Sequence, residues 1–161
     1  MLLEAGAECG IREFGFNALL SLRLEKGFGI WSAEFTQGYT PGMTGMDRWI
    51  DWEKDQFMGQ SAALKERDGN GPSQKLVMLE VEASDADASG YEPVWNNDNL
   101  VGFVTSGGYG HTVNKSLAMA LINSDLAQED QNLKVHVVGV EKDAKVIQMS
   151  PYDPEGSVMR V

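Results

Sequence analysis

His111 is the side chain here best suited to moving a proton near neutral pH, because an unperturbed imidazole titrates there. It follows the cluster Gly107-Gly108-Tyr109-Gly110 with no partner evident in the sequence, so a surface or packing role is the ordinary reading of a lone histidine. Carboxylates occur in pairs, Asp85 with Asp87 and Glu129 with Asp130, but both pairs fall in polar stretches where they would be solvated. Cys9 is the single cysteine, which excludes an intrachain disulfide and a cysteine metal cluster. With His111 and His136 as its two histidines, the chain is not expected to hold a structural zinc ion. Cys9 itself is expected to be a small buried residue and not a nucleophile. There is no GxSxG elbow, no phosphate-binding loop and no HExxH. The glycine cluster lies late in a strand pattern and no helix opens after it, so it serves turns or close backbone approach and not a dinucleotide. Spacing alone assigns no catalytic residue and no metal ligand.

Arg23 carries a guanidinium that can grip a carboxylate through two parallel hydrogen bonds. Taken alone, it reads as a helix-surface ion pair with Glu25 or another acidic neighbour. The chain's four tryptophans, Trp31, Trp49, Trp52 and Trp95, are expected mostly in the core, as large aromatics usually are.

These residues need elements to position them. Phe14–Lys26 reads as a helix, with Leu20 and Leu24 on one face and a stop at Lys26-Gly27. Residues 1–5 read as the last turn of a helix whose beginning is missing, with Gly6 just past its end. Phe28–Phe35 is apolar and aromatic and is expected to be extended. Thr40-Pro41-Gly42 marks a turn, Asp47–Trp52 a strand, and Gly59–Arg67 a short helix. The turn cluster Asp68-Gly-Asn-Gly-Pro72 is the best boundary.

Beyond it Val77, Leu79 and Val81 alternate as in a half-buried strand. Ser84–Gly90 is a polar loop. Further strands are expected at Pro93–Trp95, Val101–Tyr109, Ser116–Asn123, Leu133–Val140 and Ala144–Met149. Asn96–Asn99 reads as a hairpin turn, and the tail from Ser150 to Val161 as a surface segment. The fold class is α+β: residues 1–70, then a small antiparallel β-barrel or sandwich over residues 71–161.

The formal net charge of -11 repels phosphate backbones and anionic lipid, so neither nucleic acid nor a membrane is the expected partner. No apolar run reaches the ~18 residues of a membrane span. The start lacks a basic, then long apolar, signal pattern. The lone thiol suits a reducing compartment, the cytoplasm or, in a eukaryote, the mitochondrial matrix.

The run Ser21-Leu-Arg-Leu-Glu-Lys-Gly27, followed by Trp31, resembles a segment of the glycine cleavage T-protein (aminomethyltransferase) family. Other segments agree in order along the chain. Thr40-Pro41 with Gly45-Met46, Phe57-Met-Gly-Gln-Ser-Ala-Ala-Leu64, Val101-Gly-Phe-Val-Thr-Ser-Gly107 and Lys115-Ser-Leu-Ala118 each resemble a family motif. The Leu-Glu-Lys-Gly-Phe28 and Ser-Gly-Gly-Tyr109 forms look most like the folate-binding part of dimethylglycine and sarcosine dehydrogenases.

The resemblance implies a folate-binding α+β core, whose C-terminal part is residues 1–70, and a C-terminal barrel. It implies tetrahydrofolate as cofactor, with FAD only if a dehydrogenase domain lies upstream, and a small amine as the one-carbon donor. Arg23 matches the family arginine that faces the folate site, and Trp31 and Tyr109 are the aromatic candidates beside it. The family's catalytic acid and its Tyr-Thr-Gly-Glu motif match nothing here, so the chain reads as a portion that is inactive alone. Ser89 and Gly90 stand where the family often has a basic residue before the proline at 93. Against the enzyme-portion reading stand a non-catalytic folate-binding module and a structural or interaction domain. An apolar face over the first 30 residues would favour the last, and a homodimer through that face is one expectation.

Overall fold

The computed structural model describes residues 1–158 and residue 160. Its α-helices all precede its strands. They are α1 (Leu2–Gly6), α2 (Phe16–Glu25), α3 (Pro41–Thr44) and α4 (Gln60–Asp68). α2 and α4 are the two helices expected at Phe14–Lys26 and Gly59–Arg67. α2 stops because Gly27 takes φ 69°, a left-handed conformation that a Cβ would strain. The Phe28 amide then donates back to the Arg23 carbonyl at 2.8 Å. Thr40-Pro41 is a helix start as well as a turn: the Thr40 hydroxyl accepts from the Met43 amide at 3.2 Å, and Pro41 is the first helical residue. α1 runs through Gly6 into a 3-10 turn, Ala7–Cys9, and it is this turn that stops at the left-handed Gly10.

Among the described residues before Gln74 none lies in a strand. Two expectations are therefore corrected. Phe28–Phe35 is not extended. Its backbone folds back so that the Ala33 and Glu34 amides donate to the Ile30 carbonyl, while the Glu34 carboxylate accepts from the Ile30 amide at 2.8 Å. Asp47–Trp49 is a 3-10 turn and not a strand.

Six strands close into an antiparallel barrel in the order β1-β4-β3-β2-β5-β6. They are β1 (Gln74–Val81), β2 (Pro93–Asn96), β3 (Asn99–Gly110), β4 (Lys115–Asn123), β5 (Asn132–Val137) and β6 (Val140–Ile147). Closure comes from β1, which pairs with both β4 and β6 and so leaves no open edge. The Asn96–Asn99 hairpin is as expected, with Asn97 at φ 53°. The strand expected over Leu133–Val140 is instead two strands joined at Val138-Gly139. Both turn residues have positive φ, as a tight two-residue hairpin requires. A β-branched valine hides that turn from sequence reading, and the Glu92 carboxylate helps hold it by accepting the Val138 amide at 2.7 Å.

Two apolar clusters explain the strand sequences. The barrel interior holds Val77, Leu79, Val81, Val94, Val104, Ala118, Ala120, Ile122, Val135 and Val146 among others. A second cluster outside the barrel joins Leu24 of α2 to Met78, Leu117 and Met119. β1 is therefore covered on both faces at its centre, and β4 is buried continuously from Ser116 to Ile122. Each buried valine, leucine, isoleucine or methionine contributes about 1.5–3 kcal/mol on burial.

The tryptophans belong to neither cluster, contrary to expectation. Trp31 and Trp49 are 79% and 74% exposed. Trp52 lies under the Arg67 guanidinium at 4.5 Å, and Trp95 stacks on His136 at 5.3 Å. A six-stranded barrel has a narrow interior, filled here by valine, alanine, leucine and isoleucine, with no room for an indole. Cys9 is exposed, not buried, on a 3-10 turn that buries nothing.

Candidate functional site

The run Ser21–Gly27 at the end of α2 touches β3, β4, the turn between them, the turn after α2 and the tail. The Ser21 hydroxyl donates to the Tyr109 carbonyl on β3 at 2.7 Å. Leu24 plugs the outer apolar cluster. The Glu25 carboxylate, 1% exposed, accepts from the Thr112 hydroxyl at 2.9 Å and the Val113 amide at 3.0 Å, and also from the Thr112 amide. It thereby holds the turn between β3 and β4. Its own carbonyl accepts the Tyr152 amide at 3.0 Å. Lys26 pairs with Asp153 at 3.3 Å and so ties down the tail.

Arg23 sits in the middle of this knot. Its Nη1 lies 3.4 Å from the Glu34 carboxylate, 3.3 Å from the Phe28 carbonyl and 3.5 Å from the Met119 sulfur. Its Nε is buried and has no partner. Burial pulls the guanidinium below its usual pKa, and the Glu34 charge opposes that. An orphaned buried donor is costly, about 1–3 kcal/mol. Arg23 also lines an apolar cleft of about 270 Å³ with Leu19, Leu22, Phe28, Tyr152 and Val158, edged by the Lys26–Asp153 pair.

The three sequence-derived candidates do not share one cavity. Tyr109, at the end of β3, is 37% exposed. It lines a different and acidic cavity of about 670 Å³, with Glu80, Glu82, Asp85, Asp87 and Lys115. Its ring meets His111 edge-on at 5.1 Å. Trp31 lines neither cavity and projects from the turn that Glu34 closes. The acidic pairs are partly engaged: Asp85 with Lys142 at 2.8 Å, Asp87 with the Ser116 hydroxyl at 2.7 Å, and Asp130 with Lys145 at 2.6 Å. No group of three or more His, Cys, Asp or Glu side chains could hold a metal ion among the described residues.

Sequence reasoning missed the roles of Glu25 and Glu34. Both are almost wholly buried and both accept several hydrogen bonds. A usable signal existed for Glu34, a carboxylate inside the apolar and aromatic stretch Phe28–Phe35. Such a group is buried only when donors converge on it.

A family model described as the glycine cleavage T-protein C-terminal barrel domain matches residues 74–153, and one described as the GCVT N-terminal domain matches residues 1–54. The chain belongs to the glycine cleavage T-protein family. Relatives include the mitochondrial dimethylglycine dehydrogenase of Rattus norvegicus, 35% identical over 91% of this chain and 17% of that one. An aminomethyltransferase of Desulfitobacterium hafniense is 31% identical over 96% of this chain and 42% of its own. The crystal structure of glycine cleavage system aminomethyltransferase T from Bartonella henselae superposes with a TM-score of 0.82 at 25% identity, covering 92% of this chain and 42% of that one. This T-protein family chain thus spans less than half the length of these relatives, and its α2 knot falls within the matched region.

Proposed function

We propose that this chain supplies part of the ligand site of a tetrahydrofolate-dependent aminomethyltransferase-type protein. Such a protein passes a one-carbon unit from an amine of the glycine, dimethylglycine or sarcosine kind to tetrahydrofolate. The observation that carries this reading is the Arg23 Nε, a buried donor without an acceptor beside an apolar cleft. Folate joins a polar, hydrogen-bonding pterin through an aromatic aminobenzoyl ring to a glutamate tail that ends in carboxylates, and a carboxylate is the acceptor a guanidinium fork suits best. The residues present therefore fit the cofactor. Arg23 would hold its carboxylate end, and Leu19, Leu22 and Phe28 would pack its apolar part. The cofactor, when bound, supplies the acceptor for the one-carbon unit. This chain's own residues bind and orient it and exclude water. Trp31 and Tyr109 stand outside the cleft and would reach such a ligand only where it extends past the rim.

Calorimetric titration of the chain with a reduced folate tests the reading. Saturable binding is expected, weakened about 10- to 100-fold in Arg23→Ala, since a hydrogen bond to a charged group contributes ~1.5–3 kcal/mol. Arg23→Lys is expected to fail almost as badly, because an ammonium lacks the fork. Binding unchanged in both variants would refute the role given to Arg23.

A second reading, an interaction domain, draws on one specific observation. Phe14, Phe16, Leu22, Phe28 and Trp31 are each more than half exposed within the first 31 residues. A homodimer through this face would cover them, and sedimentation over a range of concentrations would reveal it.

A further inference from the structure

Glu34 is a fully buried carboxylate to which the proposed folate site gives no task. Three donors from three parts of the chain converge on it. The Ile30 amide reaches Oε2 from the turn after α2 at 2.8 Å, Arg23 Nη1 reaches Oε2 from α2 at 3.4 Å, and the Ser106 hydroxyl reaches Oε1 from β3. Ser106 lies where the β3–β4 register shifts, between Val104 and Ser106. Bulges of this kind re-aim a side chain out of the regular alternation. A structural carboxylate could be satisfied by backbone amides alone. This one instead spends an oxygen on the arginine and couples it to the barrel.

The contacts on Arg23 are lopsided in a way that matters. Every hydrogen bond found for its guanidinium is made by Nη1, to Glu34, Phe28 and Met119, while Nε makes none. Glu34 therefore grips one end of the fork and leaves the Nε edge for another acceptor. It also supplies the countercharge that lets a guanidinium stay buried before any ligand arrives.

We infer that Glu34 is a positioning residue: it holds the Arg23 guanidinium by one nitrogen, so that the Nε edge is kept for a carboxylate-bearing ligand, and it locks the Trp31 turn and the barrel to the same point. The nature of the ligand rests on the folate reading above; the positioning does not.

Two measurements on the whole chain separate these. In 15N-labelled protein the Arg23 Nε–H cross-peak, assigned by its loss in Arg23→Lys, reports solvent exchange at that proton. Glu34→Gln keeps an oxygen for the Ile30 amide and can still bond Ser106, but it removes the charge facing Arg23. Exchange at Nε–H is expected to speed up about tenfold, and reduced-folate affinity to fall about tenfold, the change that follows from losing one charge-assisted bond. Ser106→Ala leaves the carboxylate facing Arg23 and should give a smaller change in the same direction, so it serves if Glu34→Gln does not fold. Exchange unchanged in the folded variants overturns the positioning role, whatever folate does. Faster exchange with no saturable folate binding by the parent chain upholds positioning and refutes the folate reading. Faster exchange with undiminished folate affinity overturns the link between the held arginine and capture.

Discussion

The two regions of this molecule bury opposite things. Among the described residues, Leu24 is the one fully buried apolar side chain before Val77, and the charged side chains buried there are Arg23, Glu25 and Glu34. Among the described residues from Val77 onward nineteen apolar side chains are buried, and Ser116 is the one buried polar residue. Hydrocarbon burial is non-directional and proportional to area, so it makes the barrel stable without fixing any one atom. Hydrogen bonds to buried charges are directional, so they fix the end of α2 to within a narrow geometry but tolerate no missing partner. A ligand site needs the second kind of order, and the end of α2 has it.

The largest expected effect falls on the barrel. Leu79→Ala should cost about 2–5 kcal/mol, read as a drop in the urea midpoint for the whole chain. A cost below ~1 kcal/mol would mean that the closed barrel is not the stability core. The next effect falls on the knot and should be local. Glu25→Ala orphans the Thr112 and Val113 amides, at roughly 1–3 kcal/mol. By hydrogen exchange the turn at 111–114 and α2 should lose protection while β1 and β4 keep theirs. Uniform loss across the strands would erase the distinction drawn between the two regions.

That distinction also explains what was legible in the sequence. Each barrel strand has a counterpart among the expected ones because turn signals separate them, and β1 was visible as apolar alternation, but β6 begins at Val140, before the expected Ala144. The stop at Gly27 was visible because the backbone conformation demands that residue type, whereas Thr40-Pro41 was legible as a turn and its helix start was not. The Val138-Gly139 turn was hidden because valine ordinarily avoids positive φ, and a contact from Glu92, distant in sequence, supports it there. The double-sided burial of β4 was hidden because its outer cover comes from α2. In the site, Arg23 stood out through the run around it. Its partner Glu34 did not, because no periodicity marks a carboxylate whose donors come from α2, the turn after it and β3. The tryptophans misled because aromatic size suggests a core, and this core is a narrow barrel.

A smaller effect concerns pH and the seam between the regions. Asp153 accepts from the Ser157 hydroxyl at 2.7 Å and amide at 2.8 Å and faces Lys26, and its pKa is lowered from 3.8 to about 2, chiefly by the Ser157 hydroxyl. A depressed folded value means the stabilisation is full above the unfolded value near 3.8 and is lost as pH falls through about 2. The tail should therefore stay anchored at pH 5 and loosen between these two values. Carbon-detected titration of the Asp153 carboxyl is the direct measurement. A midpoint near the unfolded value would show that the Lys26 and Ser157 contacts do not hold the tail in solution. Asp153→Asn should flatten this part of the profile and leave the barrel strands unaffected.

The smallest effect on stability is expected at the exposed apolar face, where the contrast is sharpest in its consequences. Phe14 and Phe16 are 65% and 71% exposed, so replacing both with serine removes little buried area. The melting midpoint of dilute protein should move by the equivalent of ~0.5 kcal/mol or less at each site. Self-association should fall, because two large apolar groups leave a surface that nothing in the chain covers. A large loss of stability at low concentration would mean that α2 depends on these side chains for its own packing. The end of α2 would then owe its position to hydrocarbon burial as the barrel does, and the division between an apolar scaffold and a directionally bonded site would fail at the helix that carries Arg23.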